Sequence, residues 1–291
     1  MARIKKGIIL AGGTGSRLYP LTIASNKQLL PIYDKPAIYY PLSILMLAGI
    51  REVLFISTPR DLPALKNLFG EGTQWGMQFS YEVQENPRGL PEAFIIGEEF
   101  IQEEPVAMIL GDNFFHGHGL PELLQEADQT FSGGHIFTHK VEDPRQYGVV
   151  TLEDGKIKRI EEKPQTPSSN LAITGLYYFD ESVTSRAKGL KLSSRGEFEI
   201  TDLVASYHSE GALTMSQLGR GTVWFDVGNP KSLLETSQYV EVIQSRQGVS
   251  VASPEEVAWR QGFVGDEQIK ELIQKLPKSQ YRLSLERGIY G

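Results

Sequence analysis

The segment between residues 10 and 18 has residue types that can hold a phosphate group. Its glycines, Gly12, Gly13 and Gly15, allow the backbone to approach a ligand closely, and consecutive backbone N–H groups there can surround an anion. The guanidinium of Arg17 matches the geometry of phosphate oxygens. A tight turn without a ligand is the alternative. The expected phosphate-binding loop also includes Leu10, Ala11, Thr14 and Ser16.

This loop differs from two better-known phosphate loops. The P-loop ends in Gly-Lys-Ser or Gly-Lys-Thr, whereas Gly15 is followed here by Ser16 and Arg17. The dinucleotide-binding loop needs a third glycine three residues after Gly15, where this chain has Leu18. A Rossmann oxidoreductase is therefore a poor fit. Lys27 follows ten residues after Arg17 and can fold back onto the same phosphates, although a lone lysine is usually a solvated surface residue.

Two aspartates, Asp112 and Asp226, each stand at the end of an apolar run. In an open α/β sheet the carboxyl ends of the strands face the ligand crevice, so both carboxylates can lie there. Mg²⁺ takes few protein ligands and binds phosphate oxygens as well, which makes the pair a candidate magnesium site. The alternative is that each aspartate caps the helix that follows it. His116 and His118 have the spacing of a zinc pair, but without further clustered ligands a loop with solvated histidines is favoured.

The elements that must position these residues alternate along the first part of the chain. Apolar runs at residues 7–10, 53–57 and 106–110 predict buried strands, and residues 39–48 and 64–69 have helical spacing. This alternation predicts an α/β fold, with a Rossmann-like, mostly parallel central sheet and helices on both faces. Such a fold brings the ends of its strands to one crevice.

The middle of the chain has a different pattern. Residues 135–141, 147–152 and 156–161 predict strands joined by tight turns, with a hairpin turn at 153–155. They indicate an antiparallel insertion that can form one wall of a pocket. From residue 232 onward the pattern becomes helical.

Composition excludes several classes of protein. The 291-residue chain has a net charge of −7, so a broad surface for nucleic acid or for an anionic membrane is not expected. It has no cysteine, which excludes disulfides, thiolate metal sites and cysteine nucleophiles. The apolar run at residues 8–11 is too short for a signal peptide, and nowhere do roughly 18 apolar residues follow one another. The expected location is the cytoplasm, without membrane partners.

A series of short motifs runs nearly the whole length of the chain. The glycine loop is followed by Lys-Gln-Leu-Leu-Pro at residues 27–31, Asp-Lys-Pro at 34–36 and Tyr-Tyr-Pro at 39–41. Further motifs are Leu-Gly-Asp-Asn at 110–113, Tyr-Gly-Val-Val at 147–150, Glu-Glu-Lys-Pro at 161–164, Thr-Gly-Leu-Tyr at 174–177 and Arg-Gly-Glu-Phe-Glu-Ile-Thr-Asp at 195–202. This ordered set resembles the sugar nucleotidyltransferases, and among them the glucose-1-phosphate thymidylyltransferases.

The resemblance implies a reaction and a set of site residues. A deoxythymidylyl group would pass from dTTP to glucose 1-phosphate, giving dTDP-glucose and pyrophosphate, with Mg²⁺ as cofactor. The implied catalytic groups are Arg17, Lys27 and Lys163, and the implied metal ligands are Asp112 and Asp226. The implied nucleotide contacts beyond the loop are Gln28, Gln84, Gly89, Leu90 and Asp112. The implied sugar-phosphate contacts are Tyr147, Gly148, Glu162, Lys163, Ile173, Thr174, Gly175 and Arg195.

With this resemblance the chain divides into functional regions. We expect a catalytic domain over residues 1–240, with a nucleotide half at about 1–112 and a sugar-binding half at about 113–230. Residues 241–291 are expected to form a helical appendage, with helices at 255–260 and 266–276, that serves as an interface or a regulatory region.

The resemblance further implies a homotetramer that is regulated at a second site. In that family dTDP-rhamnose, a pathway end product, binds near a subunit interface. The matching positions here are Gly117, His118, Arg220, Ala252, Glu256 and Arg260. Because Glu256 and Arg260 are four residues apart, they share one face of a helix, and an ordinary intrahelical ion pair is the alternative.

Two departures from the family pattern and three alternative functions accompany this prediction. Arg88 replaces an acid that often precedes Gly89, which can alter the nucleotide preference. Val227 replaces a threonine that often follows the second metal aspartate, which removes a hydroxyl near the expected metal site. The alternatives are a UTP-dependent enzyme, an ATP-dependent enzyme, and a nucleotide-sugar-binding regulator without turnover.

Overall fold

The computed structural model describes residues 3–290 as alternating strands and helices. The strands are β1 Lys6–Ala11, β2 Pro31–Ile32, β3 Lys35–Pro36, β4 Glu52–Ser57, β5 Gln78–Val83, β6 Val106–Leu110, β7 Asn113–His116, β8 Gly134–Lys140, β9 Gly148–Glu153, β10 Lys156–Glu162, β11 Leu171–Phe179, β12 Leu213–Gln217 and β13 Val223–Asp226. The helices are α1 Tyr39–Leu47, α2 Leu62–Phe69, α3 Glu92–Ile96, α4 Glu98–Ile101, α5 Leu120–Thr130, α6 Val183–Gly189, α7 Ile200–Ser209, α8 Pro230–Gln247, α9 Pro254–Arg260, α10 Asp266–Lys275 and α11 Gln280–Tyr290.

Within the described residues, the central sheet has nine strands. Its main path runs β10-β9-β11-β6-β1-β4-β5, and β8 pairs with both β11 and β12. The neighbours β6, β1, β4 and β5 are parallel, whereas β11 is antiparallel to β6 and leads to the β9–β10 hairpin. The α/β class, the mostly parallel centre and the antiparallel insertion are thereby confirmed.

Both faces of the sheet are buried, as the apolar runs predict. Successive side chains of a strand point to opposite faces. Ile9 and Phe55 accordingly belong to one apolar cluster, and their neighbours Ile8 and Leu54 belong to another. Helix α1 packs against the first cluster and α3 against the second. This double covering explains why the strands are almost continuously apolar.

Strand β11 has an irregularity that matters for the site. Its pairing with β8 shifts register between Ile173 and Tyr177. Gly175 lies in this shift and donates its backbone N–H to Asn113 Oδ1 at 3.1 Å, instead of to the strand beside it. A β-bulge redirects backbone and side-chain groups in this way. The residues at the bulge therefore face the crevice beside β6 and β7.

A short antiparallel ribbon, β7 with β13, follows the end of β6. Asp226 pairs with Asn113 in this ribbon, and the backbone N–H of Val227 donates to the carbonyl oxygen of Asp112 at 2.9 Å. The ribbon therefore joins two parts of the chain that are more than a hundred residues apart.

The C-terminal helices pack against the rest of the chain. Helix α8 spans residue 240, where the sequence analysis places the domain boundary, and α9 packs against α1. The buried Lys35 Nζ lies 2.6 Å from Asp34 Oδ1 and close to the ring of Tyr281 on α11, which ties the C-terminal segment to the β2–β3 hairpin. None of the helices between residues 3 and 290 combines the length and apolar character needed to cross a bilayer.

Candidate active site

A cavity of about 1040 Å³ opens where the parallel strands end at their carboxyl side. It brings together residues from both predicted halves. The predicted site residues that line it are Leu10, Gly12, Gly13, Arg17, Lys27, Gln84, Gly89, Leu90, Asp112, Tyr147, Gly148, Glu162, Lys163, Ile173, Thr174, Gly175, Arg195 and Asp226.

Some predicted residues do not line this cavity. They are Ala11, Thr14, Gly15, Ser16 and Gln28. Ala11 and Gln28 are buried beneath the loop, and Gln28 Nε2 donates to Gly12 O at 3.3 Å. Gln28 and Ala11 therefore support the shape of the loop. The cavity is also lined by residues that the sequence analysis did not assign to it, among them Asn113, Gln146, Phe198, Glu199, Asp202 and Trp224.

The glycine loop needs its glycines for two different reasons. Gly13 and Gly15 have φ of +89° and +60°, a region that suits glycine. A Cβ on Gly15 would lie 2.7 Å from Thr22 Cγ2, and one on Gly12 would lie 2.5 Å from Gln84 Oε1. Thr22 and Gln84 therefore pack closely against the loop at Gly15 and Gly12. This packing fixes the positions of the backbone N–H groups of the loop around the cavity.

Lys27 is placed beside the glycine loop by the residue before it. Asn26 Nδ2 donates to Ala11 O at 3.2 Å and to Asp61 Oδ2 at 3.0 Å, while Asn26 Oδ1 accepts from Gln28 N at 2.7 Å. The side chain therefore caps the short turn that begins at Lys27 and fixes it to the end of β1. An asparagine directly before a helical turn is a sequence signal for such a cap.

The two aspartates lie together with two cations. Lys27 Nζ is 2.5 Å from Asp112 Oδ2, and Arg17 Nη2 is 3.7 Å from Asp226 Oδ2. A Cβ on Gly228 would lie 2.4 Å from Arg17 Nη2, so a side chain there would displace the guanidinium from this position. The pairing of β7 with β13 thus produces a compact group of two carboxylates and two cations.

The electrostatics of the aspartate pair follow from burial. Burial opposes the charge on Asp112, but the ammonium of Lys27 and its hydrogen bond hold the pKa of Asp112 below its usual value. Burial and then the charge of Asp112 raise the pKa of Asp226 to about 6. Asp112 is buried, Asp226 is partly buried, and their like charges interact, which favours a compensating cation.

The carboxylate pair is compatible with Mg²⁺. Within residues 3–290, no three His, Cys, Asp or Glu side chains form a cluster that could hold a metal. Mg²⁺ does not need such a cage, because it usually binds through one or two carboxylates together with substrate phosphates and water. Asp112 and Asp226 line a cavity that also contains cations for those phosphates, so the donor set fits this ion.

Asn113 holds Asp112 and connects three strands. Its Oδ1 accepts from Trp224 Nε1 at 2.6 Å and from the backbone N–H of Gly175 at 3.1 Å. Its Nδ2 lies 3.4 Å from Asp112 Oδ1. Asn113 is 2% exposed, so these contacts are shielded from water. It thereby couples the carboxylate pair to the bulge on β11.

Arg17 links the two sides of the cavity. Its Nη1 donates to Gln146 Oε1 at 3.4 Å, while Nη2 faces Asp226. Gln146 precedes Tyr147, whose carbonyl oxygen accepts from the backbone N–H of Lys163 at 3.0 Å. The glycine loop and the β9–β10 hairpin are therefore connected across the opening of the cavity.

The sugar side contains a network around Glu162. Its Oε2 accepts from Thr201 Oγ1 at 3.1 Å, and its Oε1 lies 3.3 Å from both Lys163 Nζ and Arg195 Nη2. Arg195 makes a closer contact with Glu199 Oε2, at 2.6 Å. Lys163 is half-exposed, and its φ of +41° is unusual for a residue with a side chain.

Gln84 and Gly89 line another part of the cavity wall, where Gly89 pairs with Phe198, the residue before Glu199. Gln84 follows β5, and its backbone N–H donates to Ser57 O at 2.8 Å. Gly89 has φ of +116°, and a Cβ there would lie 2.1 Å from Phe198 O, so the loop passes too close to Phe198 for any side chain. Together Gln84 and Gly89 line one part of the cavity beside the glycine loop, the slot.

The structure corrects the expected effect of one departure from the family pattern. Val227 is buried in an apolar cluster with Phe114 and Val240, and therefore points away from Asp226. Alternation along an extended chain explains this, because neighbouring side chains point in opposite directions. The replacement of threonine by valine at this position therefore fills the core and does not line the metal site.

The residues predicted for a second site lie away from the cavity in two groups. A Cβ on Gly117 would lie 2.6 Å from Thr222 Cα, which places it beside the segment that contains Arg220. In the other group, Glu256 Oε1 accepts from Arg260 Nε at 2.7 Å. Ala252 packs against the apolar cluster that contains Phe114. Phe114 lies in strand β7, which ends directly before Gly117.

The neighbouring histidines have different surroundings. His118 is exposed, as expected for a solvated loop residue. His116 is half-buried, and its Nδ1 lies 2.8 Å from the hydroxyl of Tyr239 on α8. Burial lowers the pKa of His116. These contacts indicate a structural role for His116.

Comparison with known proteins agrees with this geometry. The sequence model of the nucleotidyl transferase family matches residues 6–242. The glucose-1-phosphate thymidylyltransferase of Mycolicibacterium smegmatis (strain ATCC 700084 / mc(2)155) is 50% identical over 277 residues, which cover 95% of this chain and 96% of that protein.

Two solved structures are also similar. One is a Bacillus anthracis protein in complex with sucrose, provisionally named a glucose-1-phosphate thymidylyltransferase, with a TM-score of 0.74 and 38% identity over 80% of this chain and 94% of that chain. The other is a UDP-glucose pyrophosphorylase complexed with UDP-glucose, with a TM-score of 0.73 and 28% identity over 82% of this chain and 99% of that chain. The chain therefore belongs to the nucleotidyl transferase family.

Proposed function

We propose that the protein transfers a deoxythymidylyl group from dTTP to glucose 1-phosphate, releasing pyrophosphate and forming dTDP-glucose. The observation that carries this proposal is the position of the Asp112–Asp226 pair. The two carboxylates line the same cavity as Lys27 and Arg17 on the glycine-loop side and Lys163 on the hairpin side. A site with cations on both sides of a carboxylate pair suits two phosphorylated substrates that must meet.

The triphosphate would lie along the glycine loop. Its oxygens would accept from backbone N–H groups of the loop and from Arg17 and Lys27. The base would enter the slot between Gln84 and Gly89, where the Gln84 amide offers hydrogen-bonding atoms to a pyrimidine edge.

Asp112 and Asp226 are the residues that would hold Mg²⁺. When bound, Mg²⁺ neutralises the charge of triphosphate oxygens and of the pyrophosphate that leaves. Asn113 keeps Asp112 in place through its contacts with Trp224 and Gly175. Lys27 keeps Asp112 ionised, so that the carboxylate remains a metal ligand.

Glucose 1-phosphate would occupy the hairpin side. Lys163 would bind its phosphate, and Glu162, fixed by Thr201, would accept from the sugar hydroxyls. Arg195 is paired with Glu199 and approaches Glu162, so it would orient the acid that holds the sugar. Tyr147, Gly148, Ile173, Thr174 and Gly175 would form the walls around the glucose ring.

The reaction would be a single in-line displacement. An oxygen of the sugar phosphate forms a bond to the α-phosphorus of dTTP, and the bond from that phosphorus to the bridging oxygen breaks, so pyrophosphate leaves with the electron pair. A phosphate monoester has a second pKa of roughly 6, so the nucleophile is already anionic near neutral pH. A general base is therefore unnecessary, and the site works by positioning and by charge neutralisation.

Pyrophosphate release tests this function. The purified chain is assayed with Mg²⁺ and each of dTTP, UTP, ATP and dCTP against glucose 1-phosphate and other sugar 1-phosphates. The highest kcat/KM is expected for dTTP with glucose 1-phosphate. A higher kcat/KM for UTP would instead favour the activity named for the UDP-glucose pyrophosphorylase structure. Nucleotide-sugar binding without turnover in any combination would favour the regulator.

We further propose that the protein is a homotetramer with an effector site at Gly117, His118, Arg220, Ala252, Glu256 and Arg260. Support comes from their position outside the cavity and from the two guanidinium groups, which suit a diphosphate. Glu256 is buried beside Arg260 and close to Gly288 of α11, so the C-terminal appendage would form part of this site.

A further inference from the structure

Glu92, a buried acid at the start of α3, binds donors with both of its oxygens. Its Oε2 accepts from Gln84 Nε2 at 2.8 Å and from the backbone N–H of Arg88 at 3.2 Å. Its Oε1 accepts from Arg88 Nε at 2.7 Å, and Arg88 Nη2 lies at the same distance. The Glu92 side chain is 7% exposed. Its contacts are therefore shielded from water and fixed in direction.

This arrangement decides which way the Gln84 amide points. A carboxylate has acceptors and no donor, so the amide must turn its Nε2 group toward Glu92. The amide oxygen then lies on the other side, close to Gly12: a Cβ on Gly12 would be only 2.5 Å from Gln84 Oε1. Gln84 and Gly12 both line the cavity, whereas Glu92 does not.

We propose that Glu92 is a positioning residue that sets the base specificity of the nucleotide slot. By holding Nε2 of Gln84, it makes the slot present an acceptor oxygen to the base. Thymine and uracil carry an N3–H donor for this oxygen. Cytosine has a lone pair at N3, so it would face the oxygen of Gln84 without a hydrogen bond. A nucleotide binds much more weakly when it leaves a buried polar group of the site without a partner. This inference rests on the proposed function, in which Gln84 faces the base.

Arg88 has a defined role in this arrangement. It stands where the family often has an acid, and its guanidinium binds the far side of Glu92 instead of lining the cavity. The carbonyl oxygen of Arg88 accepts from Phe198 N at 2.7 Å, which fixes the loop that leads to Gly89. The guanidinium of Arg88 therefore binds the Glu92 oxygen that Gln84 does not use, and it does not line the cavity.

The variant Glu92→Gln tests this inference because it is nearly isosteric. A carboxamide can place its oxygen on one side only. The guanidinium of Arg88 is charged and reaches Oε1 with two nitrogens at 2.7 Å, whereas the backbone N–H of Arg88 reaches Oε2 at 3.2 Å. Hydrogen bonds from a charged donor are the stronger ones, so we expect the oxygen to stay with the guanidinium and the NH₂ group to face Gln84. The Gln84 amide would then flip and present a donor to the base. The ratio of kcat/KM for dTTP to that for dCTP should fall by about tenfold, with KM for glucose 1-phosphate unchanged.

Arg88→Ala is the matched control. It removes the ion pair but leaves the hydrogen bond between Glu92 and Gln84, so the dTTP preference should persist. Glu92→Met, which has a similar volume without acceptors, is the second variant if Glu92→Gln does not fold, and it should lose the preference as well. Thermal unfolding of each variant verifies the fold.

Calorimetric titration of dTTP and dCTP into each variant separates this inference from the proposed function, because it requires no turnover. A wild type that binds dTTP over dCTP but releases no pyrophosphate would contradict the proposed function alone. A preference that is unchanged in folded Glu92→Gln, or that is lost equally in Arg88→Ala, would overturn the role of Glu92.

Discussion

The carbonyl oxygen of Asp112 accepts a hydrogen bond from the backbone N–H of Val227 at 2.9 Å. This bond closes the ribbon of β7 and β13 and places Asp226 beside Asp112, although 113 residues lie between them in the sequence. The two carboxylates meet because of strand pairing, and Arg17 of the glycine loop and Lys27 after it lie against them.

Replacing Lys27 with Ala should lower kcat by about 100-fold or more, because a cation that stabilises charge in the transition state is commonly worth about 3 kcal/mol. Steady-state pyrophosphate release measures this. Lys270→Ala, at an exposed position of α10, is the control and should keep full activity. Near-full activity of folded Lys27→Ala would show that Lys27 does not act on the triphosphate.

Replacing Asp226 with Asn should raise the Mg²⁺ concentration for half-maximal rate by at least about tenfold, because changes around a metal ligand commonly cost that much in affinity. The titration is made at saturating dTTP and glucose 1-phosphate. Asp202→Asn, at another acid that lines the cavity, should leave the Mg²⁺ dependence unchanged. An unchanged metal requirement in Asp226→Asn would reduce Asp226 to a structural partner of Arg17.

Lys163→Ala should raise KM for glucose 1-phosphate about tenfold or more, since a hydrogen bond to a charged group contributes about 1.5–3 kcal/mol. KM for dTTP should change little, because Lys163 lies on the hairpin side. Lys158→Ala, on the same hairpin but paired with Glu153 in solvent, is the matched control. Equal increases in both KM values would contradict the assignment of Lys163 to the sugar phosphate.

The free energy of unfolding should depend on pH through His135. Both ring nitrogens of His135 lie against hydroxyls, with Nδ1 2.7 Å from Thr214 Oγ1 and Nε2 3.1 Å from Ser216 Oγ. Burial lowers the pKa of His135 to about 4, below the usual value of about 6.5. The folded state therefore binds the proton less tightly than the unfolded state. The contribution of His135 to the free energy of unfolding is therefore fully present above a pH of about 6.5 and decreases as the pH falls toward 4.

Through His135, the free energy of unfolding is expected to decrease by about 2 kcal/mol between pH 7 and pH 5. Urea unfolding at both pH values measures it. His135→Gln should abolish this part of the pH dependence, whereas exposed His118→Gln should retain it. The same pH dependence in wild type and His135→Gln would exclude His135 as its source.

Arg220→Ala should relieve inhibition by dTDP-rhamnose without raising KM for dTTP, since the guanidinium would bind the effector's diphosphate outside the cavity. Inhibition curves at several dTTP concentrations measure this. Arg246→Ala, at an exposed position of α8, is the control. Inhibition that remains intact in Arg220→Ala, or that is purely competitive with dTTP at one site per subunit, would remove the second site.

Much of the fold could be predicted because its signals are local. The strands β1, β4 and β6 were predicted within two residues of their observed ends, since each is a short apolar run bounded by turn residues. Strand β11 and the ribbon strands β7 and β13 were not predicted. A strand of four residues, such as β7 or β13, is too short to show a periodicity of its own.

The sequence by itself determined the glycine loop, the residue types that can bind phosphate, and the family, because these depend on local composition and on motifs in a fixed order. The tertiary structure alone decided how those residues are held. Trp224 contacts Asn113, Thr201 contacts Glu162, and neither pair is adjacent in the chain. Such partners are chosen by strand pairing and by the need to satisfy buried polar groups, and both are properties of the packed chain rather than of any local pattern.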